Sequence, residues 1–573
     1  MTNKKLEEYT KEELLAYIGE LKKGRRFGLV WEPKDEQVVK DCNSKLPVLN
    51  EVKDRVINDA GDDYPTNLLI EGDNFHSLTT LNYTHAGKID VIYADPPYNT
   101  GARDWRYNND YVDDTDAFRH SKWLSFMDNR LRIAKNLLAD DGIICVTIDD
   151  YELPRLAMLL DDIFGVEHRL GTVVIRNNPQ GRSTIKGFSI NHEYALFYEK
   201  TTRSTVGRLP RSDKQLERYP EIDEDGHGYL WENFRKTGSD SHRSDRPKQF
   251  YPLYVKGEVI RLPKMEWNND NKAWLILDSP ESDEVEVLPV DNAKNERVWK
   301  WGHERVLANP SHLQVRKVGG RTELHRRNYP SEGSLPNTLW DKPKYASGSH
   351  GTNLLTRMFG KSHMFDFPKS VYAVEDCIRV CSPKKDAVVL DFFAGSGTTG
   401  HAVLELNAQD GGSRQFILCT NNENGIAEDV TYERINKVIA GYNDTAGIPA
   451  NLRYYKTDFV DTAGLGSLTD KDKLEITREM GAMIALRENS FEQIEQTNHW
   501  QTYENAKQLT AVYFREDKTM IDEYLTKLNG QEKPVKLYVF GWGKNAGAEY
   551  ASKKISVEDI PEPLIEVYKE IAK

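Results

Sequence analysis

Two short stretches carry side chains whose types and spacing can do chemistry. The first, Asp95-Pro96-Pro97-Tyr98, directly follows the apolar run Ile89-Asp90-Val91-Ile92-Tyr93-Ala94. That run reads as a parallel strand. Two consecutive prolines cannot continue a central ladder, so the tetrapeptide begins a rigid turn at the C-terminal edge of the sheet, where open α/β sheets place ligands. A capped strand end would account for Pro-Pro-Tyr alone. The full set fits a harder task. An exocyclic amine on adenine or cytosine is a poor nucleophile because its lone pair is delocalised, so a catalyst must hold its N–H groups and favour a pyramidal nitrogen. Asp95 can accept one hydrogen bond and the carbonyl of Pro96, aimed by Pro97, the other. Tyr98 offers a flat face for an extruded base, and methyl transfer to the held nitrogen then needs only alignment.

The second stretch is Asp391-Phe392-Phe393-Ala394-Gly395-Ser396-Gly397-Thr398-Thr399-Gly400, placed after the strand-like Val388-Val389-Leu390. Gly395, Gly397 and Gly400 match a dinucleotide fingerprint, a pattern that also serves close packing and equally allows a nicotinamide enzyme. No lysine precedes Thr398 or Thr399, which excludes an ATPase phosphate loop. Asp391 beside the loop would repel a pyrophosphate but can pair with a cationic amino-acid moiety such as S-adenosylmethionine carries. Glu423, past the next strand, can hold ribose hydroxyls in either cofactor class.

The elements that position these stretches are legible as short apolar runs alternating with helical stripes, the texture of parallel βα units. Strands are expected at 67–70, 89–94, 142–148, 172–175, 194–198, 388–391, 416–419 and 535–540. The first sixty residues are charge-rich and open on the capping-box pattern Thr10-Lys11-Glu12-Glu13 before Leu14, Leu15, Ile18 and Leu21, which predicts a helical arm. Between 201 and 335 the texture becomes irregular and Trp-rich, suggesting a mostly β insertion. The resulting division is 1–60 arm, 61–200 catalytic first part, 201–335 insertion, 336–445 catalytic second part and 446–573 an α+β tail.

The chain has 573 residues, with 77 Lys and Arg against 90 Asp and Glu, for a net charge of −13. Any polyanion must therefore meet a local basic face. Within 301–330, Arg305, Arg316, Lys317, Arg321, Arg326 and Arg327 outnumber Glu304 and Glu323 by four charges. Arg243, Arg246 and Lys248 form a second basic cluster. Such patches suit phosphate contacts, which position a duplex without reading its bases. No apolar run approaches the length of a membrane span, and a cytoplasmic location is expected. The five cysteines form no Cys-x-x-Cys pair, and Cys377 and Cys381 fit the apolar face of a helix. No metal is assigned: His192-Glu193 lacks the second histidine of a metalloprotease helix. Glu516-Asp517-Lys518 has nuclease-like spacing, but no Pro-Asp dipeptide accompanies it.

Asp95-Pro96-Pro97-Tyr98 followed by Asp391–Thr398 resembles the amino-DNA methyltransferases, and the order of the motifs is that of their β class. Leu69–Asp73, Arg119–Leu124, Asp141–Val146 and His192–Leu196 are each similar to a family motif in its expected order. Phe365-Asp366-Phe367-Pro368-Lys369-Ser370 looks like the segment that closes over the methionine end of the cofactor. The likeness is greatest to the modification subunits of type III restriction systems. It implies a Rossmann-like seven-stranded α/β methyltransferase sheet with residues 201–335 as target-recognition domain. It further implies S-adenosyl-L-methionine as methyl donor, bound by Asp73, Asp391, Phe392, Phe393, Ala394, Gly395, Gly397, Thr398, Glu423, Phe367 and Lys369. Adenine N6 in double-stranded DNA becomes the acceptor, since the cytosine-N4 branch usually has serine where Asp95 stands. A homodimer is implied, as is a restriction subunit with the ATP-dependent motor and nuclease that this chain lacks. A cytosine-N4 enzyme, a non-catalytic DNA-recognition subunit and a nicotinamide oxidoreductase are the alternatives, and the last leaves Asp95–Tyr98 unexplained.

Overall fold

The computed structural model describes residues 10, 30–61, 64–108, 110–181, 187–514, 518–540, 547–560 and 562–571. Chain contacts divide it into two compact units, one formed by 1–207 with 335–573 and the other by Arg208–Ser334.

The first unit is built on a mixed sheet whose strands we number β1 (Lys45–Glu51), β2 (Ile57–Asn58), β3 (Thr66–Glu71), β4 (Ile89–Ala94), β5 (Leu138–Ile148), β6 (Arg169–Ile175), β7 (Glu193–Glu199), β8 (Leu339–Trp340), β9 (Val388–Asp391), β10 (Gln415–Thr420) and β11 (Asn451–Asp461). Their spatial order is β1-β11-β3-β10-β9-β4-β5-β7-β6-β8, with β2 also on β11. The run β11-β3-β10-β9-β4-β5 is parallel throughout, and β7 returns antiparallel to β5. Buried on both faces, the central strands are near-continuous apolar runs, as Ile89–Ala94 and Gln415–Thr420 illustrate. Connecting helices include α1 (Asn74–Thr84), α2 (Arg119–Leu137), α3 (Leu153–Phe164), α4 (Val371–Cys381), α5 (Thr398–Asp410) and α6 (Glu433–Ala440). Cys377 and Cys381 lie buried on α4, and all five cysteines are free and buried.

Among the described residues this sheet has eleven strands where seven are expected. Two of the additions correct the domain boundaries. Residues 45–51, assigned by charge density to a helical arm, form β1: Leu46, Val48 and Leu49 are fully buried while the charges sit at the strand ends. Residues 451–461, assigned to the tail, form β11, which pairs with β1 on one side and β3 on the other. The helical stripe Leu14–Leu21 lies outside the described residues, as do Glu516 and Asp517. Beyond β11 the chain forms a five-stranded sheet of Glu492–Gln496, Trp500–Glu504, Leu509–Tyr513, Val535–Phe540 and Ile555–Ile560. Its core is continuous with that of the main sheet, since Met483, Tyr538 and Tyr568 belong to the same buried cluster as Leu46 and Leu78.

The second unit is mainly β. A four-stranded sheet orders Glu221–Ile222, Gly228–Asn233, Arg321–Asn328 and Leu313–Val318, and three-stranded and two-stranded sheets accompany it. Gly319 and Gly320 both take positive φ, 57° and 80°, and form the two-residue turn of the 313–328 hairpin. Phe234 stacks on Trp299 at 5.0 Å in a core with Tyr251, Leu253 and Trp301.

Candidate active site

Strands β9 and β4 are parallel neighbours, and the chain leaves them toward opposite sides of the sheet: β9 leads through α5 to β10, β4 through α2 to β5. At such a switch point the loops diverge and open a crevice at the C-terminal edge. Asp391 ends β9 and Asp95 follows β4, so the topology brings together the two carboxylates singled out from sequence.

Asp391 is buried and receives hydrogen bonds from the Thr399 hydroxyl (2.5 Å) and the Phe393 N–H (2.9 Å). Burial pushes its carboxyl up to about 7, the two donors pull against that shift, and the charge of Asp95 adds to it. Neither direct partner is cationic, so a bound cation would relieve this carboxylate. The loop beside it turns through Gly395 and Gly397, at φ 48° and 75°; a Cβ at Gly395 would stand 2.9 Å from the Phe365 ring. Arg434, fully buried behind the loop, donates to the Ser396 carbonyl and hydroxyl and to Thr398 (2.8 Å). With neutral partners only, its pKa falls to about 9 through burial. Glu423, partly exposed, meets Arg106 at 3.3 Å, while Asn422 caps the following helix through the Ala427 and Glu428 N–H groups. Asp73 caps α1 by accepting from Phe75 N–H (2.8 Å) and lies 3.3 Å from buried Arg130. These residues fit a cationic nucleoside cofactor: an acid for the cation, a glycine cradle and an acid for the ribose.

Two residues expected at that cofactor have side chains engaged with other groups. The Phe392 ring is fully buried in the main core, because alternate residues leaving β9 face opposite ways; only its carbonyl meets a polar partner, Asn74. Phe393 is the partly exposed ring. Lys369 sits against the other motif: its ammonium reaches Asp95 Oδ1 at 2.9 Å, Glu193 Oε2 at 3.2 Å and the Tyr98 hydroxyl at 2.7 Å. The positive φ of Phe367, 56°, turns the chain just before it and leaves the Phe367 ring 82% exposed.

Around Asp95–Tyr98 the turn is held from several sides. The Thr147 hydroxyl on β5 donates to Asp95 Oδ1 at 2.6 Å, and the Trp123 indole on α2 donates to the Pro97 carbonyl at 2.7 Å. Asn99, buried at φ 55°, donates to Glu152 and accepts from the Trp105 indole. Tyr98 hydroxyl donates to Glu193 Oε2 at 3.0 Å. Burial beside Asp95 and Glu193 holds that phenol far above its ordinary pKa. The sequence assigned no role to Glu193, Thr147, Trp123 or Asn99, although Trp123 and Glu193 lie in segments similar to family motifs. Glu193 had a signal: an acid opening an otherwise apolar strand at the end where Asp95 lies.

The basic residues divide once partners are seen. Arg326 is bonded to Glu232, Arg327 forms a two-pronged pair with Glu224 at 2.7 and 2.9 Å, and Arg243 pairs with Glu296 at 2.9 Å. The charge excess counted within 301–330 is therefore overstated, since two neutralising acids come from residues 221–233. Arg316, Lys317, Arg321, Arg246 and Lys248 have no carboxylate partner among the described residues. Three potential metal ligands, Asp223, Asp225 and His227, share an exposed turn of this unit, where Asp223 already accepts from the Asp225 and His227 N–H groups.

With this geometry in view, a family model described as DNA methylase matches residues 89–428, more than half of the chain. The chain belongs to the DNA methylase family. The methylase is similar to the type II methyltransferase M.KpnI of Klebsiella pneumoniae, 35% identical over 397 residues that make up 68% of this chain and 88% of that protein. It is also similar to the Mod subunit of the type III restriction-modification enzyme EcoPI of Escherichia phage P1, 32% identical over an alignment 389 positions long that covers 62% of this chain and 58% of the subunit. It thus spans most of the type II relative and little more than half of the type III one. Among solved structures, the complex of M1.HpyAVI with S-adenosylmethionine aligns with a TM-score of 0.29 at 13% identity, covering 65% of this chain and 97% of that one.

One consequence is measurable directly. A cationic ligand pairs only with the ionised form of Asp391, whose carboxyl titrates at about 7. S-adenosylmethionine affinity is expected to rise as pH increases from about 6 to about 8 and then to level off. Asp391→Asn should weaken binding by about ten- to a hundredfold and abolish that pH dependence, read by titration calorimetry.

Proposed function

We propose that this methylase transfers a methyl group from S-adenosylmethionine to N6 of adenine in double-stranded DNA, as the modification enzyme of a restriction-modification system. The observation that carries the reading is Asp95 beside Asp391 at one sheet edge, with a backbone turn and Tyr98 shaped for a planar base. The seven strands β3, β10, β9, β4, β5, β7 and β6 form the methyltransferase sheet. Arg208–Ser334 is the target-recognition domain, and residues beyond β11 serve contacts with a second copy or a restriction partner.

S-adenosylmethionine, when bound, supplies an electrophilic methyl on a sulfonium centre. The chain does the rest. Asp391 pairs with the cofactor's cationic end, Gly395 and Gly397 let the backbone approach it, and Glu423 holds the ribose. Asp95 and the Pro96 carbonyl accept the two N–H groups of an adenine rotated out of the duplex, and Tyr98 stacks on its ring. The turn is held before the base arrives: Thr147 fixes Asp95, and Trp123, bonded to the Pro97 carbonyl, fixes the backbone just past Pro96, so little reorganisation accompanies the charge that develops on nitrogen. A carboxylate at position 95 favours adenine over cytosine by the family's usual pairing.

The test is mass spectrometry of nucleosides from methyl-free bacterial DNA incubated with the protein and S-adenosylmethionine. N6-methyladenine is expected; N4-methylcytosine would overturn the choice of base, and no methylated product would overturn the catalytic reading. DNA contact has its own check. Replacing Arg316, Lys317 and Arg321 together by Ala should weaken DNA binding across sequences and lower the slope of log K against log salt by about three, with S-adenosylmethionine binding unchanged.

A further inference from the structure

We infer that Lys369 is the positioning residue of the base pocket: its ammonium bridges the paired carboxylates of Asp95 and Glu193 and turns the second carboxylate oxygen of Asp95, Oδ2, to the target amine. The inference rests on the adenine-methylating reading and assigns a part to a residue that the closing segment over the cofactor would otherwise explain.

The geometry is specific. An ammonium has three N–H donors, and Lys369 has three acceptors within 3.2 Å: Asp95 Oδ1, Glu193 Oε2 and the Tyr98 hydroxyl. Lys369 also lies over the Tyr98 ring at 4.5 Å. Thr147 donates to the same Asp95 oxygen that Lys369 does. Both fixed donors therefore sit on Oδ1, and among the described residues none reaches Oδ2.

Chemistry makes that asymmetry matter. Side-chain exposure is 23% at Asp95, 12% at Lys369 and 3% at Glu193, so the pocket is poorly hydrated. Two carboxylates in such a place, sharing no cation, take up a proton between them. Without Lys369, Oδ1 still receives the Thr147 hydroxyl, so a proton on Asp95 would sit on Oδ2 and turn the needed acceptor into a donor. Lys369 prevents this. Burial works against the ammonium, but the charges of Asp95 and Glu193 outweigh it and hold the lysine well above its ordinary range. The other titratable groups facing the cluster are Tyr93 on β4, Cys145 on β5, Cys377 and Cys381 on α4, and Asp391 on β9. Burial keeps Tyr93, Cys145 and Cys377 protonated near neutrality. Burial pushes Asp391 up to about 7 in the same neighbourhood, and saturating S-adenosylmethionine at every pH keeps it paired with the cofactor's cationic end.

The experiment compares wild type, Lys369→Arg, Lys369→Met and Lys369→Met/Glu193→Gln in single-turnover adenine methylation from about pH 6 to 9, at saturating S-adenosylmethionine. Cofactor binding by calorimetry checks the fold. Wild type must yield N6-methyladenine, and its failure would count against the functional reading itself. Relative to wild type, Lys369→Met should lose more than about tenfold at pH 7 and recover as pH rises and the shared proton leaves. Lys369→Arg should retain most activity. The double variant, which removes one carboxylate charge together with the ammonium, should be faster than Lys369→Met at pH 7. Wild-type rates in Lys369→Met would overturn the inference, and so would a loss equal at every pH that Glu193→Gln leaves in place.

Discussion

Two carboxylates end adjacent parallel strands at one edge of one sheet, and the rest of the site answers to that fact. Ionised carboxylates are costly in a poorly hydrated crevice, so each must be matched or must bind a proton. The chain solves the two cases differently. Asp95 is matched internally by Lys369 and Thr147. Asp391 has only neutral partners, which leaves its carboxyl at about 7 and ready for a cation from outside. In the proposed function one acid orients a neutral base and the other receives a charged cofactor.

That division explains how unrelated parts of the chain support one reaction. The pocket for the base draws on β4, β5, β7 and the segment before α4, which are separated by up to some 270 residues in sequence, as the Lys369–Tyr98 bond shows. The cofactor loop depends on α6 behind it, where Arg434 bonds three loop atoms. A buried arginine with neutral partners costs stability. Its return is a glycine loop held in shape from the side away from the ligand.

Much of this architecture was legible in the residues themselves. Strands β4 and β9 begin and end where the apolar runs do, because Pro96 and the glycine turn stop them abruptly. The residues at both motifs were legible for the same reason: each lies next to such a stop. Pairings between distant segments were not. The family resemblance implied Lys369 as a cofactor ligand, and the turn at Phe367 carries it to Asp95. Arg326 and Arg327 looked like free phosphate contacts until Glu232 and Glu224, about a hundred residues upstream, appeared beside them. Strands β1 and β11 were hidden by charge, since both carry lysines and acids at their ends or on one face and have an apolar face only when paired.

In the proposed function Asp95 acts on the base and Asp391 on the cofactor. Measuring S-adenosylmethionine affinity and single-turnover methylation of DNA for Asp95→Ala separates the two. A fall in rate of about a hundredfold or more is expected, with cofactor affinity within about twofold of wild type. Wild-type turnover with normal cofactor binding would contradict it.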